Sequence, residues 1–459
     1  MNHIGITRQD ARKPSRKNLF IRTFGCQMNE YDSLKLEKIL DAEYQRVATP
    51  ENADLVLINT CSVRGKPEHK VYSLLGELRA LKEINPAMMI GVGGCVAQQE
   101  GKNLVERSKD IDFVFGTHNL SLVPALIGLR QGGAEPQVAV DYRDEWEDLP
   151  LGFAPGERVS AFIAISRGCN KNCTYCVVPH TRGVEVSRSQ DEILREIRLA
   201  VQRGAKEVLL LGQTVNSYGR DLNPRRSFVD LLGEISCIDG LKRIRFTSPH
   251  PQEVREDFVD LVTRNPKVCR HIHMPLQSGS DRILKLMNRN YRRAKYLRII
   301  EALKSRVPDM AITTDIIVGF PGESDEDFRA TLEVMDVVQF EGSFSFVFSP
   351  RPNTLAAAMT DTQPYEEKLA RLQVLQEKQN SITKSKLESW VGKGVEVLFE
   401  GPSEGNPDCL RGRSSQNFVV NMERNYAHLK PGALANVTIS GANRFTLKAT
   451  HNGAGQAVA

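Results

Sequence analysis

The chain has 459 residues, 41% hydrophobic and 25% charged, with 34 Gly and 22 Pro, which predicts about three domains and excludes a collagen-like, disordered or disulfide-scaffold protein. Its 61 basic and 56 acidic residues give a net charge of +5, which permits a nucleic-acid partner without requiring one. No apolar run approaches the roughly 18 residues of a membrane span, and the charged N-terminus lacks a signal core, so the expectation is a cytoplasmic protein with no membrane partner.

Residues 1–17 carry Arg8, Arg12, Lys13, Arg16 and Lys17 against Asp10, and are expected to form a solvated arm. The first section, 18–133, has three apolar β-rich runs: Leu19–Phe24, Leu55–Asn59 and Met88–Val92. Between them Leu36, Ile39 and Leu40, and then Val71, Leu74, Leu75 and Leu78, recur at helical spacing. Strand–helix alternation of this kind predicts parallel βαβ units, hence an α/β fold. Gln131–Arg158, with its acidic cluster Asp141–Asp148, reads as a linker.

A second section, 155–386, repeats the alternation. Strands are expected at Ala161–Ser166, Glu207–Leu211, Arg243–Thr247, His271–Pro275, Thr313–Val318 and Phe344–Phe348, with helices such as Ile193–Val201 and Phe328–Val338 between them. Six such units fit a partial or full barrel or an open doubly wound sheet, and periodicity does not choose. The third section, 388–451, has short alternating runs, Val395–Phe399, Phe418–Met422 and Ala435–Ile439, bounded by turn residues. That pattern predicts a small antiparallel β-barrel.

Nine cysteines in a reducing compartment are not read as disulfides. Cys169, Cys173 and Cys176 form a Cys-x3-Cys-x2-Cys run directly after the first strand of the second section, where loops of a parallel sheet build active sites. A structural zinc site is one reading, but closed zinc sites want four protein ligands and no fourth cysteine is near. Three thiolates on a four-iron cluster would leave one iron open. Cys26, Cys61 and Cys95 lie 35 and 34 residues apart, each just past an apolar run. Parallel strands about 4.8 Å apart would bring the three thiols to one end of the sheet as a second cluster site. The alternative is three small buried hydrophobes. Cys237, Cys269 and Cys409 have no ligand-like spacing and read as incidental thiols, and Trp390 as a packing residue.

The run Arg167-Gly168-Cys169 through Tyr175-Cys176 resembles the signature of radical S-adenosylmethionine (SAM) enzymes. Gly25-Cys26-Gln27-Met28-Asn29, Asn59-Thr60-Cys61-Ser62 and Gly94-Cys95-Val96-Ala97-Gln98 resemble the N-terminal domain of the methylthiotransferase family. Thr181-Arg182-Gly183-Val184-Glu185, Ser187-Arg188, Leu211–Gly219, Pro275–Ser280 and Thr314–Glu323 extend the likeness, with Thr214 where the family usually has Asn and Thr247-Ser248-Pro249-His250-Pro251 where it commonly reads Thr-Ser-His-Pro. Leu410–Asn417 resembles part of the TRAM domain, an RNA-binding barrel.

The resemblance implies a radical SAM partial (βα)6 barrel in the centre and two [4Fe-4S] clusters. Cys169, Cys173 and Cys176 would hold the one that cleaves SAM; Cys26, Cys61 and Cys95 would hold the one that carries sulfur. It implies Tyr175, Gln213, Gln277 and Asp315 in the SAM pocket, and Arg182, Arg188, Arg411 and Arg413 against RNA. The implied reaction adds a methylthio group to carbon 2 of N(6)-dimethylallyladenosine at tRNA position 37. Expected partners are that tRNA, an electron-donor protein and a sulfur source, with the enzyme a monomer. Family members acting on threonylcarbamoyl-adenosine or on a small-subunit ribosomal protein are the alternatives. A non-catalytic zinc RNA-binding protein is the alternative from another class.

Overall fold

A computed structural model describes residues 16–62, 67–143, 146–147, 149–150, 158–423 and 429–450. Most of the expected N-terminal arm and part of the expected linker lie outside these. The chain forms two compact units, one of residues up to 142 with 147–150, the other of 143–146 and everything from 151 on.

The first unit is a six-stranded, wholly parallel sheet. Its strands are β1 (Lys17–Thr23), β2 (Tyr44–Arg46), β3 (Leu55–Thr60), β4 (Met89–Gly94), β5 (Phe113–Phe115) and β6 (Gln137–Ala139), in the order β2-β1-β3-β4-β5-β6. Helices α1 (Gln27–Leu40), α2 (Pro67–Ile84), α3 (Cys95–Glu100), α4 (Lys102–Arg107) and α5 (Val123–Gln131) connect them. Both faces are covered. Leu55 and Leu57 pack with Leu36 of α1 and Val123 of α5, while Val56 and Ile58 pack with Val71, Leu75 and Leu78 of α2. Strands buried on both faces read as continuous apolar runs, which is why β3 and β4 were legible. The expected linker instead contributes β6, an edge strand beside β5.

Gly91 and Gly93 of β4 leave room for aromatic rings on β5. A Cβ at Gly93 would lie 2.2 Å from the Phe115 ring. Gly93→Ala is therefore expected to cost about 1–3 kcal/mol through overpacking, read as a lowered thermal midpoint; an unchanged midpoint would contradict this packing.

The second unit opens with β7 (Ser160–Ala164) and a two-residue pair, β8 (Ser166–Arg167) and β9 (Val186–Ser187). Strands β10 (Glu207–Leu211), β11 (Arg243–Phe246), β12 (His271–His273), β13 (Ala311–Val318) and β14 (Gly342–Val347) follow. They form two parallel sheets, β11-β10-β7 and β12-β13-β14. Ile244 of β11 bridges Val268 in parallel just ahead of β12, which joins the two into one six-stranded open barrel. The intervening helices are α6 (Val178–Arg182), α7 (Gln190–Gln202), α8 (Phe228–Ser236), α9 (Glu256–Arg264), α10 (Asp281–Leu286), α11 (Arg293–Arg306) and α12 (Asp325–Val338). Ser227 and Ser324 start α8 and α12 with capping boxes, satisfying amides that the helix itself leaves open. Ile163, Val208, Leu210, Ile244, Ile312 and Ile316 face these helices in one apolar core.

Helix α13 (Tyr365–Glu388) then leads into β15 (Gly394–Ser403), β16 (Asn406–Ser414), β17 (Val419–Glu423), β18 (Leu434–Ala442) and β19 (Thr446–Thr450). These close a barrel in the order β15-β16-β17-β19-β18. The expected antiparallel pattern holds for four of its seams, but β17 and β19 run parallel. Because β18 pairs with β15, its hairpin partner β19 returns beside β17 in the same direction. Trp390 packs edge-on to Phe418, 5.7 Å between ring centroids.

Two buried arginines on β11 dock this barrel. Arg243 donates to the carbonyl oxygens of Arg413 (2.7 Å) and Glu396 (3.0 Å) and to the Glu396 carboxylate (2.8 Å). Arg245 donates to the carbonyls of Ser414 (2.6 Å) and Ser415 (3.1 Å) and pairs with buried Glu207 at 2.8 Å. Arg245→Ala would leave Glu207 charged and unpaired in the interior. The expected loss is about 3–5 kcal/mol in urea unfolding; a loss below about 1 kcal/mol would show the pair to be dispensable.

Candidate functional site

The Cys-x3-Cys-x2-Cys loop is cinched at its neck. Antiparallel pairing of Ser166 with Ser187 and Arg167 with Val186 closes residues 168–185 into one loop above the carboxyl end of β7. Gly168 has φ +75°, and a Cβ there would lie 1.9 Å from the Val184 carbonyl oxygen, so only glycine lets the two limbs touch. The Cys169 amide donates to the Gly183 carbonyl at 3.1 Å. The motifs after the loop lock its exit: Tyr218 Oη donates to the Arg188 carbonyl at 2.9 Å, and the Gly219 amide to Ser187 Oγ at 2.9 Å.

The thiols themselves are set in polar contacts. Cys169 Sγ lies 3.5 Å from Thr214 Oγ1 and accepts from the Lys171 amide at 3.4 Å. Cys173 Sγ accepts from Arg289 Nη1 at 3.5 Å. Burial and the neighbouring thiols push Cys176 up to about 12, and burial pushes Cys169 up as well. Held as thiolates in this desolvated loop, the three would need a bound cation to offset their charge.

The loop is also stitched to the segment after α10. Thr174 Oγ1 donates to the Leu286 carbonyl (2.9 Å), the Thr174 amide to the Met287 carbonyl (3.1 Å), and Asn288 Nδ2 to the Asn172 carbonyl (2.7 Å). Tyr175 packs against the apolar cluster of Ile283, Met287, Phe320, Phe348 and Ala356. Gln213, beside Thr214, has a buried Oε1 with no partner among the protein atoms. Across the barrel the Gln277 amide donates to the Asp315 carbonyl at 2.8 Å, with Gln277 at φ +70°. Asp315 Oδ2 lies 3.3 Å from His273 Nε2. Thus Gln213 stands next to the Cys169 contact, and Gln277 and Asp315 stand together on neighbouring strand ends. His250, pushed down to about 2 by burial and nearby cations, is neutral, and its buried Nε2 has no partner.

In the first unit, Cys26, Cys61 and Cys95 follow the ends of adjacent strands β1, β3 and β4. Cys26 is the N-cap of α1, where the helix favours negative charge. Gly25 has φ +104°, and a Cβ there would lie 2.1 Å from Cys61 Cβ, so the glycine brings the Cys26 backbone against Cys61. Beneath the thiols, buried polar side chains tie the strand ends. Asn29 Nδ2 donates to the carbonyls of Phe24 (2.9 Å) and Thr60 (2.7 Å), Asn59 Nδ2 to the Asn29 carbonyl (2.8 Å), and Thr60 Oγ1 to the Gly93 carbonyl (2.6 Å).

Among the described residues no three His, Cys, Asp or Glu side chains converge on a single metal ion. In an iron–sulfur cluster each thiolate takes its own iron, so thiols around a cluster need not converge on a point. Each three-thiol set, with no fourth cysteine beside it among the described residues, suits a cluster with an open iron better than a closed zinc site.

The comparisons with known proteins agree with this geometry. Residues 163–335 match the Radical SAM superfamily, and residues 18–116 match the uncharacterized protein family UPF0004. A tRNA-2-methylthio-N(6)-dimethylallyladenosine synthase from Nitrosospira multiformis is 45% identical over 442 residues, covering 93% of each chain. One from Geobacter metallireducens is 46% identical over 427 residues, 92% of this chain and 96% of that one. The chain belongs to the tRNA-2-methylthio-N(6)-dimethylallyladenosine synthase family. In fold alone, it is similar to the radical SAM methyltransferase TsrM from Kitasatospora setae with tryptophan and a SAM analogue bound. The TM-score is 0.55 at 16% identity, covering 75% of each chain.

Within this synthase family fold, two of the arginines expected at RNA are buried. Arg188 is buried, ion-paired with fully buried Glu196 and set against the Trp146 ring, 5.9 Å from its centroid. Arg182 is buried on α6. Arg182 lies within the cysteine loop and Arg188 just past its exit. Arg411 and Arg413 remain part-exposed on β16, paired with Glu400. The residues that sequence reasoning missed are Arg289 and Tyr291. They lie more than a hundred positions from Cys173, and no spacing links them to it. Cys269 lies buried against Glu207 at the foot of the barrel, Cys237 is exposed, and Cys409 sits on β16.

Proposed function

We infer that this chain is a radical SAM enzyme that adds a methylthio group to carbon 2 of N(6)-dimethylallyladenosine in tRNA, at position 37. Its cofactors are SAM and two [4Fe-4S] clusters. The observation that carries the reading is the pair of three-cysteine sets at the carboxyl ends of two parallel sheets, on a chain matched over nine-tenths of its length by synthases of this name. Cys169, Cys173 and Cys176 hold one cluster; Cys26, Cys61 and Cys95 hold the other.

The bond to be replaced is an unactivated aromatic C–H, which no side-chain base can deprotonate usefully near pH 7. Bound at these sites, SAM and the clusters supply a carbon-centred radical and the sulfur. The chain's own residues position and shield. Tyr175 offers a ring beside the loop for the adenine of SAM, Gln213 an unpartnered acceptor, and Gln277 and Asp315 a polar strand-end pair. Arg411 and Arg413 on the C-terminal barrel meet RNA phosphates. The substrate base must leave its stack, which suits a loop nucleotide. An electron-donor protein and a sulfur source complete the cycle.

The test is a reaction of the cluster-loaded protein with SAM, dithionite, sulfide and defined tRNA. Methylthio product is expected on tRNA carrying dimethylallyladenosine and not on tRNA carrying threonylcarbamoyl-adenosine. The reverse preference would assign the chain to the other tRNA substrate.

A further inference from the structure

Arg289 is a buried cation with no carboxylate paired to it among the described residues. Its side chain donates from Nε to Tyr291 Oη (3.3 Å), from Nη2 to the Pro275 carbonyl (3.2 Å) and from Nη1 to Cys173 Sγ (3.5 Å). Its guanidinium also lies over the Tyr291 ring, 5.2 Å from the centroid. Tyr291 Oη in turn donates to the Leu276 carbonyl at 2.7 Å, so the guanidinium is clamped to the fourth strand end of the barrel. The residue is 7% exposed, and among the described residues it forms no ion pair with Asp or Glu. Three other buried arginines of this unit have one: Arg188 with Glu196, Arg243 with Glu396, Arg245 with Glu207.

A buried charge left unpaired is costly, which favours an anion at this site. The sulfur of Cys173, a thiolate when it holds a cluster, is the partner within reach. Its other hydrogen-bond partners, the Tyr291 hydroxyl and the Pro275 carbonyl, carry no carboxylate. Three thiolates on a four-iron core carry net negative charge, and one added electron deepens it. A fixed positive charge and an N–H···S bond both favour the more negative state.

We infer that Arg289 is the built-in counter-charge of the cysteine-loop cluster, and that its bond to Cys173 raises the potential at which that cluster accepts an electron from a one-electron reductant. Arg289 is a positioning residue: it acts through Cys173 and Tyr291. The inference rests on the reading that Cys169, Cys173 and Cys176 hold a cluster.

The test is a potentiometric titration of the cluster-loaded full-length protein with dithionite, following the paramagnetic signal that changes when SAM is added, in wild type, Arg289→Gln and Arg289→Lys. Iron and sulfide content and the presence of the SAM-sensitive signal test the cluster reading first. Given that signal, Arg289→Gln is expected to move its midpoint to a more negative potential with SAM affinity unchanged, and Arg289→Lys, which keeps the charge, to restore most of the shift. Should Arg289→Gln fail to hold its cluster, the Lys variant and Tyr291→Phe, which frees the clamp, are expected to give smaller shifts of the same sign. An unchanged midpoint in all variants would overturn the inference. So would a loss of SAM affinity at unchanged midpoint, which would make Arg289 a ligand of SAM.

Discussion

Cys173→Ala is expected to lower 5′-deoxyadenosine formation by about a thousandfold or more, because the three thiols of the loop act as one unit. The thiols outside the two sets lie elsewhere: Cys269 is buried against Glu207, Cys237 is exposed on the C-terminal end of α8, and Cys409 is on β16. The loop backbone does not depend on the sulfur. The Cys176 amide still donates to the carbonyl of residue 173, and Thr174 still binds the Met287 and Leu286 carbonyls. The thermal midpoint of the second unit should therefore change little, so the loss can be read as chemistry. Retained 5′-deoxyadenosine formation by the variant would remove Cys173 from the proposed cluster site.

Cys61→Ala is expected to do the opposite in one respect. Deoxyadenosine formation should stay within about threefold of wild type, while methylthio product falls to background. Cys61 sits just past β3, buried against Gly25, in the unit that lacks the Cys-x3-Cys-x2-Cys loop. About four of about eight irons should be lost with it. The Asn29, Asn59 and Thr60 bonds that tie the strand ends use no sulfur, so the sheet should stay folded. Continued methylthio transfer would contradict the assignment of Cys26, Cys61 and Cys95 to the sulfur-carrying cluster.

Much of this architecture was legible because buried parallel strands leave a strong apolar signal. The apolar run Glu207–Leu211 coincides with β10, and the runs at β3 and β4 end within a residue or two of those strands. The cysteines were legible because strand ends are where a parallel sheet gathers its loops. Helix α13, 24 residues long, was not. Its packed face carries Gln379 and Thr383, which bond to the Phe340 and Glu341 carbonyls, so a polar stripe hides where an apolar one was sought. Strands β5 and β6 are three residues each, too short to show a period. The parallel seam between β17 and β19 follows from closure of the barrel, which no local pattern records. Arg182 and Arg188 read as RNA contacts because sequence does not show that Glu196 and Trp146 would enclose Arg188. Arg289 was invisible for a related reason: its meaning lies in the carboxylate it lacks.

The most direct measurement is nucleoside mass spectrometry of tRNA from a host lacking its own methylthiotransferase, with and without this gene. The account predicts that 2-methylthio-N(6)-dimethylallyladenosine appears only when the gene is present, and that it disappears again with either Cys173→Ala or Cys61→Ala. Unchanged tRNA nucleosides in cells that hold soluble, iron-loaded protein would contradict it.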